Sequence, residues 1–478
     1  MDKLGYKKAD VVIAGGGTGG VCAAIAAARN GVDVLLVERQ GFLGGMFTGG
    51  NMCVSTFMPW AGIAKEIMSK LMDMGAAKFH PDEPWNYPIF HHRSWACLTV
   101  PYDPEMAKIL LFRMVEEAGV RLLLHSYITG VVTEGDTIKG IIVENKSGRQ
   151  IIEGKIICDG TGDGDVAALA GAPFVKGLGE DKKLFAMTML VRLSHVDWNK
   201  VSEYSKKDPG WDNAIKKAIE NGDLPYYKPR TMDMIPYWGH PRPELSHLWY
   251  EDGALLWGGT VENVDGTDVD SLTYAEMECR KQWMSELNFL KKYIPGFELA
   301  RVENSGVTIG VRATRHIVGE YTYTGYDILE EREFPDTVAY IFPKFLGVPY
   351  RCLVPKKIDN LLIASKCIST TPGWTEYGPT LGAYNDMKSM VTVMSYGQAA
   401  GTAAALCVKM GVTPRELDVS ALQKTLAEQG ALVEREYINK LKEEKLPSGI
   451  TIGEYLKQHH AKLRQWWEKK GYKFSTKT

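Results

Sequence analysis

The chain has 478 residues, 45% hydrophobic and 24% charged, with 56 Lys and Arg against 58 Asp and Glu, for a net charge of −2. That length gives room for two or three domains, and the balanced charge argues against a nucleic-acid partner or net attraction to an anionic membrane. No run of 18 or more apolar residues predicts a membrane span, and MDKLGYKKADVV leads into the first strand without an apolar leader, so a cytoplasmic protein is expected.

Asp10 to Gly45 is the first organised stretch. Val11-Val12-Ile13-Ala14 reads as a short buried strand. Gly15, Gly17 and Gly20 follow in the spacing G-x-G-x-x-G, with Thr18 between them. The Ala-rich segment Val21 to Asn30 favours helix, and Gly31 ends it. A second strand, Val32 to Val37, delivers Glu38 at its C-terminal end. In such a unit the first glycine permits the turn, the second lets a pyrophosphate approach the backbone, and the third lets helix and sheet pack closely. The helix N-terminus offers free N–H groups to phosphate. An acid about 20 residues on can accept hydrogen bonds from a ribose diol. Together these parts predict a dinucleotide site, and an acid at position 38 favours a plain ribose over a 2′-phosphate. Arg39 and the loop Gly44-Gly45-Met46 come next, and the chain then turns irregular through Gly49-Gly50. A simple NAD domain would continue into another βα unit, so this favours FAD.

Lys65 to Met74 reads as a helix. The stretch to Tyr102 (76–102) reads as an irregular excursion containing His91 and Arg93, either a solvated loop or contacts for a substrate anion. Asp103-Pro104-Glu105 opens a helix running to Glu117. Val120 to Leu124 is a strand. Val131 to Glu134 and Ile138 to Glu144 form a hairpin that continues into Ile151 to Cys158. That last strand ends in Asp159-Gly-Thr-Gly162-Asp163-Gly-Asp165, which returns the chain to the cofactor; Val166 to Ala170 is a short helix.

From about Lys176 to Gly306 aromatic residues concentrate, which suggests a second domain of sheet and helices covering the active site. His195, His240 and His247 are candidates there for substrate contact, and Tyr274 to Tyr293 is a helix. Gly306 to His316 is strand-like. Arg312, Arg315 and His316 within it, with His91 and Arg93 behind them, are the catalytic candidates; the two arginines and the histidine could clamp a carboxylate or stabilise a developing enolate, and structural pairing of the arginines is the plainer alternative. Asn360 to Ser365 is a strand. A single long helix is expected from Tyr384 to Met410, with small residues that pack against the sheet or the cofactor and with Gln398 as a cofactor contact. The tail has helical patterning and docks, by expectation, on the body or on a partner subunit, which makes a homo-oligomer possible. The eight cysteines are scattered without C-x-x-C, so neither disulfides nor a metal site is expected.

AGGGTGG, VERQGFLGGMFT, YDPEMAKILL, CDGTGDGDVAALAGAPF, IGVRATRHIVGEYTYT, NLLIASKCIS and GQAAGTAAAL together resemble the FAD-dependent oxidoreductase family of glutathione-reductase-2 type, related to the fumarate reductase and succinate dehydrogenase flavoproteins. The resemblance implies an α/β fold: a Rossmann-like FAD-binding domain built from discontinuous segments, with an inserted α+β substrate or cap domain and a helical C-terminal tail. It implies the divisions 1–175, 176–306, 307–412 and 413–478. By that match Gly15, Gly17, Thr18, Gly20, Glu38, Arg39, Gly44, Gly45, Met46, Gly162 and Asp163 contact FAD, with Ile128 on the adenine side. Some relatives hold FAD through a histidine near the second glycine pair. No histidine lies between Gly41 and Phe79, so the flavin is expected to be non-covalent.

The function expected is hydride transfer between flavin N5 and a small organic substrate, with an unidentified electron donor or acceptor. The alternatives are an NAD-dependent dehydrogenase and an FAD-bearing tRNA-modification or non-redox flavoprotein.

Overall fold

The computed structural model is described for residues 8–55, 61–78, 100–178, 182–226, 245–247, 250–341, 344–373, 380–431, 435–443, 445 and 449–474. Its centre is a seven-stranded sheet. Lys8–Ala14 pairs in parallel with Val34–Val37 on one side (Val12 opposite Leu35) and with Gly148–Asp159 on the other (Val12 opposite Ile157). Arg121–Leu123 extends the sheet in parallel beyond Val34–Val37. Val11 to Ala14 and Val34 to Val37 are fully buried, which accounts for their continuous apolar character.

Gly148–Asp159 has 12 residues and serves two neighbours on its other side. Its first half pairs antiparallel with Thr137–Asn145, which in turn pairs with Tyr127–Glu134. Its second half pairs in parallel with Leu361–Ile363, a strand from two hundred residues later. Asn360 closes the junction. Its side-chain oxygen accepts the Ile138 N–H at 2.9 Å, and its amide donates to the carbonyls of Ile138 (2.8 Å) and Lys155 (2.9 Å).

Two helices cover one face at very close range, Thr18–Arg29 and Met390–Met410. A Cβ on Gly397 would fall 2.3 Å from the Gly19 carbonyl oxygen, and one on Gly401 would fall 2.0 Å from that of Ala23. The small residues of GQAAG therefore seat one helix on another. Among the described residues, Met390–Met410 is the one helix long and apolar enough to cross a membrane, and 83% of its apolar window is buried inside the protein.

The long helix expected from Tyr384 is two helices. Tyr384–Met387 stops, Lys388 and Ser389 turn, and Ser389 caps Met390–Met410 by accepting the Thr392 N–H. The helical period carries through the break, so periodicity does not reveal it. The strand-like stretch from Gly306 is likewise divided. Gly310–Val311 pairs with Met187–Thr188, whereas Arg315–Ile317 pairs with Phe174–Lys176 in another sheet.

Between these segments lie a three-stranded sheet (Met187–Thr188, Thr260–Val261, Gly310–Val311) and a four-stranded one (Leu245–His247, Ala254–Leu256, Val191–Ser194, Arg301–Ser305). Helices Trp198–Lys207, Asp212–Glu220 and Val269–Tyr293 pack with them around Trp211, Phe289 and Phe297. The last of these helices starts at its Asp268 cap, ahead of the Tyr274 expected. In the tail, Trp467 is fully buried against Leu329, Leu381 and Leu463, so the final helix docks on the chain's own body.

Candidate functional site

A long cleft opens at the C-terminal ends of the parallel strands, where strand order reverses around Lys8–Ala14. One end is lined by Glu38, Arg39, Gln40 and Ser126 to Ile128, the middle by Gly15, Gly17, Thr18, Gly45, Met46 and Gly160 to Asp163, and the far end by Thr308, Ile309, Val311, Lys366, Lys388, Met390 and Val393.

The middle is made by glycines for separable reasons. Gly15 has φ +97°, and a Cβ there would fall 2.8 Å from the Gly160 backbone. A Cβ on Gly20 would fall 1.9 Å from the Gly15 carbonyl oxygen. Gly20 therefore packs helix on strand and does not line the cleft. Gly44, at φ +100°, pairs in a bridge with Gly17 and likewise supports the wall from behind. At Gly17, by contrast, the nearest protein atom to an added Cβ would be 3.6 Å away and the backbone is extended. A side chain would fit the protein there but would stand in the cleft. The Thr18–Arg29 helix has no side-chain cap and no acid in its first turn. Its leading N–H groups and positive dipole end thus remain available to an anion beside Gly17.

Glu38 is buried at the first end. Its two carboxylate oxygens accept the N–H groups of Gly16 (2.6 Å) and Gln40 (2.8 Å). Burial raises its pKa against those bonds. Each oxygen retains a further acceptor position. The Arg39 guanidinium lies 5.9 Å from the centre of the Tyr127 ring, and Ile128 lines the same end.

The return loop from Asp159 is tightly tied. Asp159 accepts from Thr161 N–H (3.0 Å), Thr161 Oγ1 and Ala167 N–H (2.9 Å), and burial pushes its pKa up to about 6. Asp163 accepts from the Thr314 hydroxyl at 2.8 Å and from Lys366 Nζ at 3.4 Å. Lys366 also donates to the Gly162 carbonyl.

Several expected residues lie elsewhere. Gln398 faces away from the cleft: its side-chain oxygen accepts the Ile63 N–H at 2.9 Å, holding the start of the Gly62–Asp73 helix. Arg315 is no free clamp. It donates to the Asp163 carbonyl (2.9 Å), pairs with Asp165 (2.8 Å) and stacks over Phe174. His316 is 2% exposed, shares a hydrogen bond with Thr370 Oγ1 (3.0 Å) and meets the Tyr384 ring edge-on. Burial, with Lys366 nearby, pulls its pKa down to about 3, so it is neutral at physiological pH and sealed from substrate. Arg312 follows the lining residue Val311 and donates to Thr188 Oγ1 at 3.2 Å. His195 is exposed, does not line the cleft and bonds Ser194. His91, Arg93 and His240 lie outside the described residues.

Among the lining residues that escaped sequence reasoning are two lysines, Lys366 and Lys388. Neither belongs to a spaced motif. Lys366 follows the strand read at Asn360 to Ser365, and its place just after a parallel strand was the available signal.

Residues 10–342 and 341–426 match the family described as FAD dependent oxidoreductase. Over 164 residues the chain is 27% identical to a probable electron transfer flavoprotein-quinone oxidoreductase of Escherichia coli K12, a match covering 31% of this chain and 35% of that protein, or about a third of its length. Among solved structures, the chain is similar to a geranylgeranyl bacteriochlorophyll reductase-like protein of Thermoplasma acidophilum (12% identity, TM-score 0.47, 95% of this chain and 96% of that one). It is also similar to p-nitrophenol 4-monooxygenase of Pseudomonas putida DLL-E4 (12% identity, TM-score 0.46, 89% and 84%). The chain belongs to the FAD-dependent oxidoreductase family.

Proposed function

We propose that FAD lies extended and non-covalently bound along this cleft. In this reading its adenosine is at Glu38, Arg39, Tyr127 and Ile128, its pyrophosphate at Gly17 and Thr18, and its ring system at the Thr308–Lys388 end. The observation that carries the reading is the position of Gly17, where protein packing would admit a side chain that would then stand in the cleft. The unneutralised helix start beside it supplies the complement to pyrophosphate charge. Segments 1–175 and 307–412 then hold the cofactor, and 176–306 covers the substrate.

FAD, when bound, supplies a two-electron hydride acceptor or donor. The chain's residues do the rest. Glu38 holds the ribose by its remaining acceptor positions. Asp163 and the Gly162 backbone face the linking chain, with Lys366 fixing both. Arg312 and Lys366 bring positive charge to the ring end, where a small organic substrate with an anionic group would be oriented. Electrons are exchanged with an external partner. The E. coli relative, named for a quinone-linked role, supports a partner of the electron-transfer kind.

The test is direct. Purified protein should be yellow, and acid precipitation should release the flavin into the supernatant. Anaerobic titration with hydroxy acids, sugars and unsaturated acids should find one class that bleaches the oxidised flavin or recolours the reduced one. Colourless protein that does not take up FAD would sink the proposal, and flavin left in the acid pellet would overturn its non-covalent part.

A further inference from the structure

Lys388 sits in the turn between the Tyr384–Met387 and Met390–Met410 helices. Its side chain lines the far end of the cleft beside Lys366, Val311, Met390 and Val393. Among the described residues no hydrogen bond or ion pair holds its Nζ.

The charges around it come from three elements. Arg312, after Gly310–Val311, and Lys366, after Leu361–Ile363, are cations within electrostatic range. Asp386, on its own helix, is the acid in range. That acid is already committed: its carboxylate pairs with Lys344, the two side chains being 8% and 1% exposed. Asp163 in turn is engaged by Thr314 and Lys366. Lys388 is half-buried, and it lines the cleft with two cations and one committed acid in range. Burial and the two cations pull its pKa down to about 7. An amine so placed gains a proton when negative charge arrives beside it.

Resting on the cofactor reading above, we propose that Lys388 is the redox-linked proton carrier of the site: its Nζ is an amine while FAD is oxidised and an ammonium while FAD is reduced. The balance is simple. Two-electron reduction places one proton on the cofactor and leaves one negative charge, and Nζ takes the second proton. With a CH–OH substrate, the carbon loses hydride to FAD and the hydroxyl loses its proton to Nζ, leaving a carbonyl. Reoxidation passes two electrons to the external acceptor and returns both protons to water.

The measurement is the midpoint potential of the bound FAD against pH, in holoenzyme reduced by dithionite with a reference dye. For a two-electron couple each proton taken up contributes about 30 mV per pH unit. Wild-type protein should hold the two-proton slope, about 59 mV per pH unit, above pH of about 7.5. Lys388→Met should fall to about 30 mV per pH unit in that range, a halving of proton uptake. Lys388→Arg, permanently charged, should show the one-proton slope at a higher potential. A one-proton slope in the wild type overturns the proposal by itself, whatever the variants do, and so does a two-proton slope retained by Lys388→Met. Protein that binds no FAD would instead sink the reading of the cleft, a separate and visible failure.

Discussion

A side chain at position 20 would begin 1.9 Å from a backbone oxygen, whereas one at position 17 would meet nothing closer than 3.6 Å. The two glycines of one motif thus serve different masters. Gly20→Val should destabilise the fold by about 3 kcal/mol or more, because neither helix nor strand can give way. Gly17→Val should leave thermal stability of the apoprotein within about 1 kcal/mol while weakening FAD by about 100-fold, equivalent to about 2.7 kcal/mol. Melting of the apoproteins and flavin titration separate the two outcomes. His316 gives a second residue-scale test. Its folded pKa, about 3, lies below the ordinary 6.5, so between those values the unfolded chain binds more protons. Stability is full above pH of about 6.5 and falls as pH drops toward 3, with a limiting slope of about 1.4 kcal/mol per pH unit. Denaturant unfolding at pH 7 and pH 5 should show a smaller acid loss in His316→Leu than in wild type. The spacing of Gly15, Gly17 and Gly20 was legible because its constraint is local. The fate of His316 was not, because nothing adjacent in sequence says that Thr370 and Tyr384 will enclose it.

At the scale of elements, the crossing of Thr18–Arg29 with Met390–Met410 fixes one wall of the cleft. Intrinsic helix propensity favours alanine over glycine at position 401 by about 1 kcal/mol. The 2.0 Å approach to the Ala23 carbonyl should reverse that sign. Gly401→Ala is expected to cost about 1–3 kcal/mol by urea unfolding and to loosen the flavin, since Met390 and Val393 on the same helix line its site. A Gly401→Ala protein that gains stability would show that the helices can separate freely. The strand–helix–strand unit at the start and the hairpin leading to Asp159 were readable, because alternation and turn residues encode them over short spans. The break at Lys388 was hidden within a continuous helical period. Small residues around Gly397 announced close packing but not its partner, which is why Gln398 was read toward the cofactor.

Over the whole molecule, the cleft is assembled from residues 15–46, 126–128, 160–165, 308–311 and 365–393. The central sheet is completed by Leu361–Ile363, inserted beside a strand made two hundred residues earlier. The architecture as a class was legible because each segment carries a glycine loop or short apolar strand. Which segments become neighbours is decided by pairings such as Asn360 with Ile138, for which one sequence gives no sign. That spacing has a consequence for biosynthesis. Chains emerge from the ribosome N-terminus first, at about 5–20 residues per second. A nascent chain can form the nucleotide-binding unit early, yet it lacks the final wall of the prosthetic-group pocket until Val393 clears the exit tunnel. Colour should therefore be a late event: stalled chains ending near residue 380, offered free flavin, should stay pale, whereas the released full-length polypeptide takes it up.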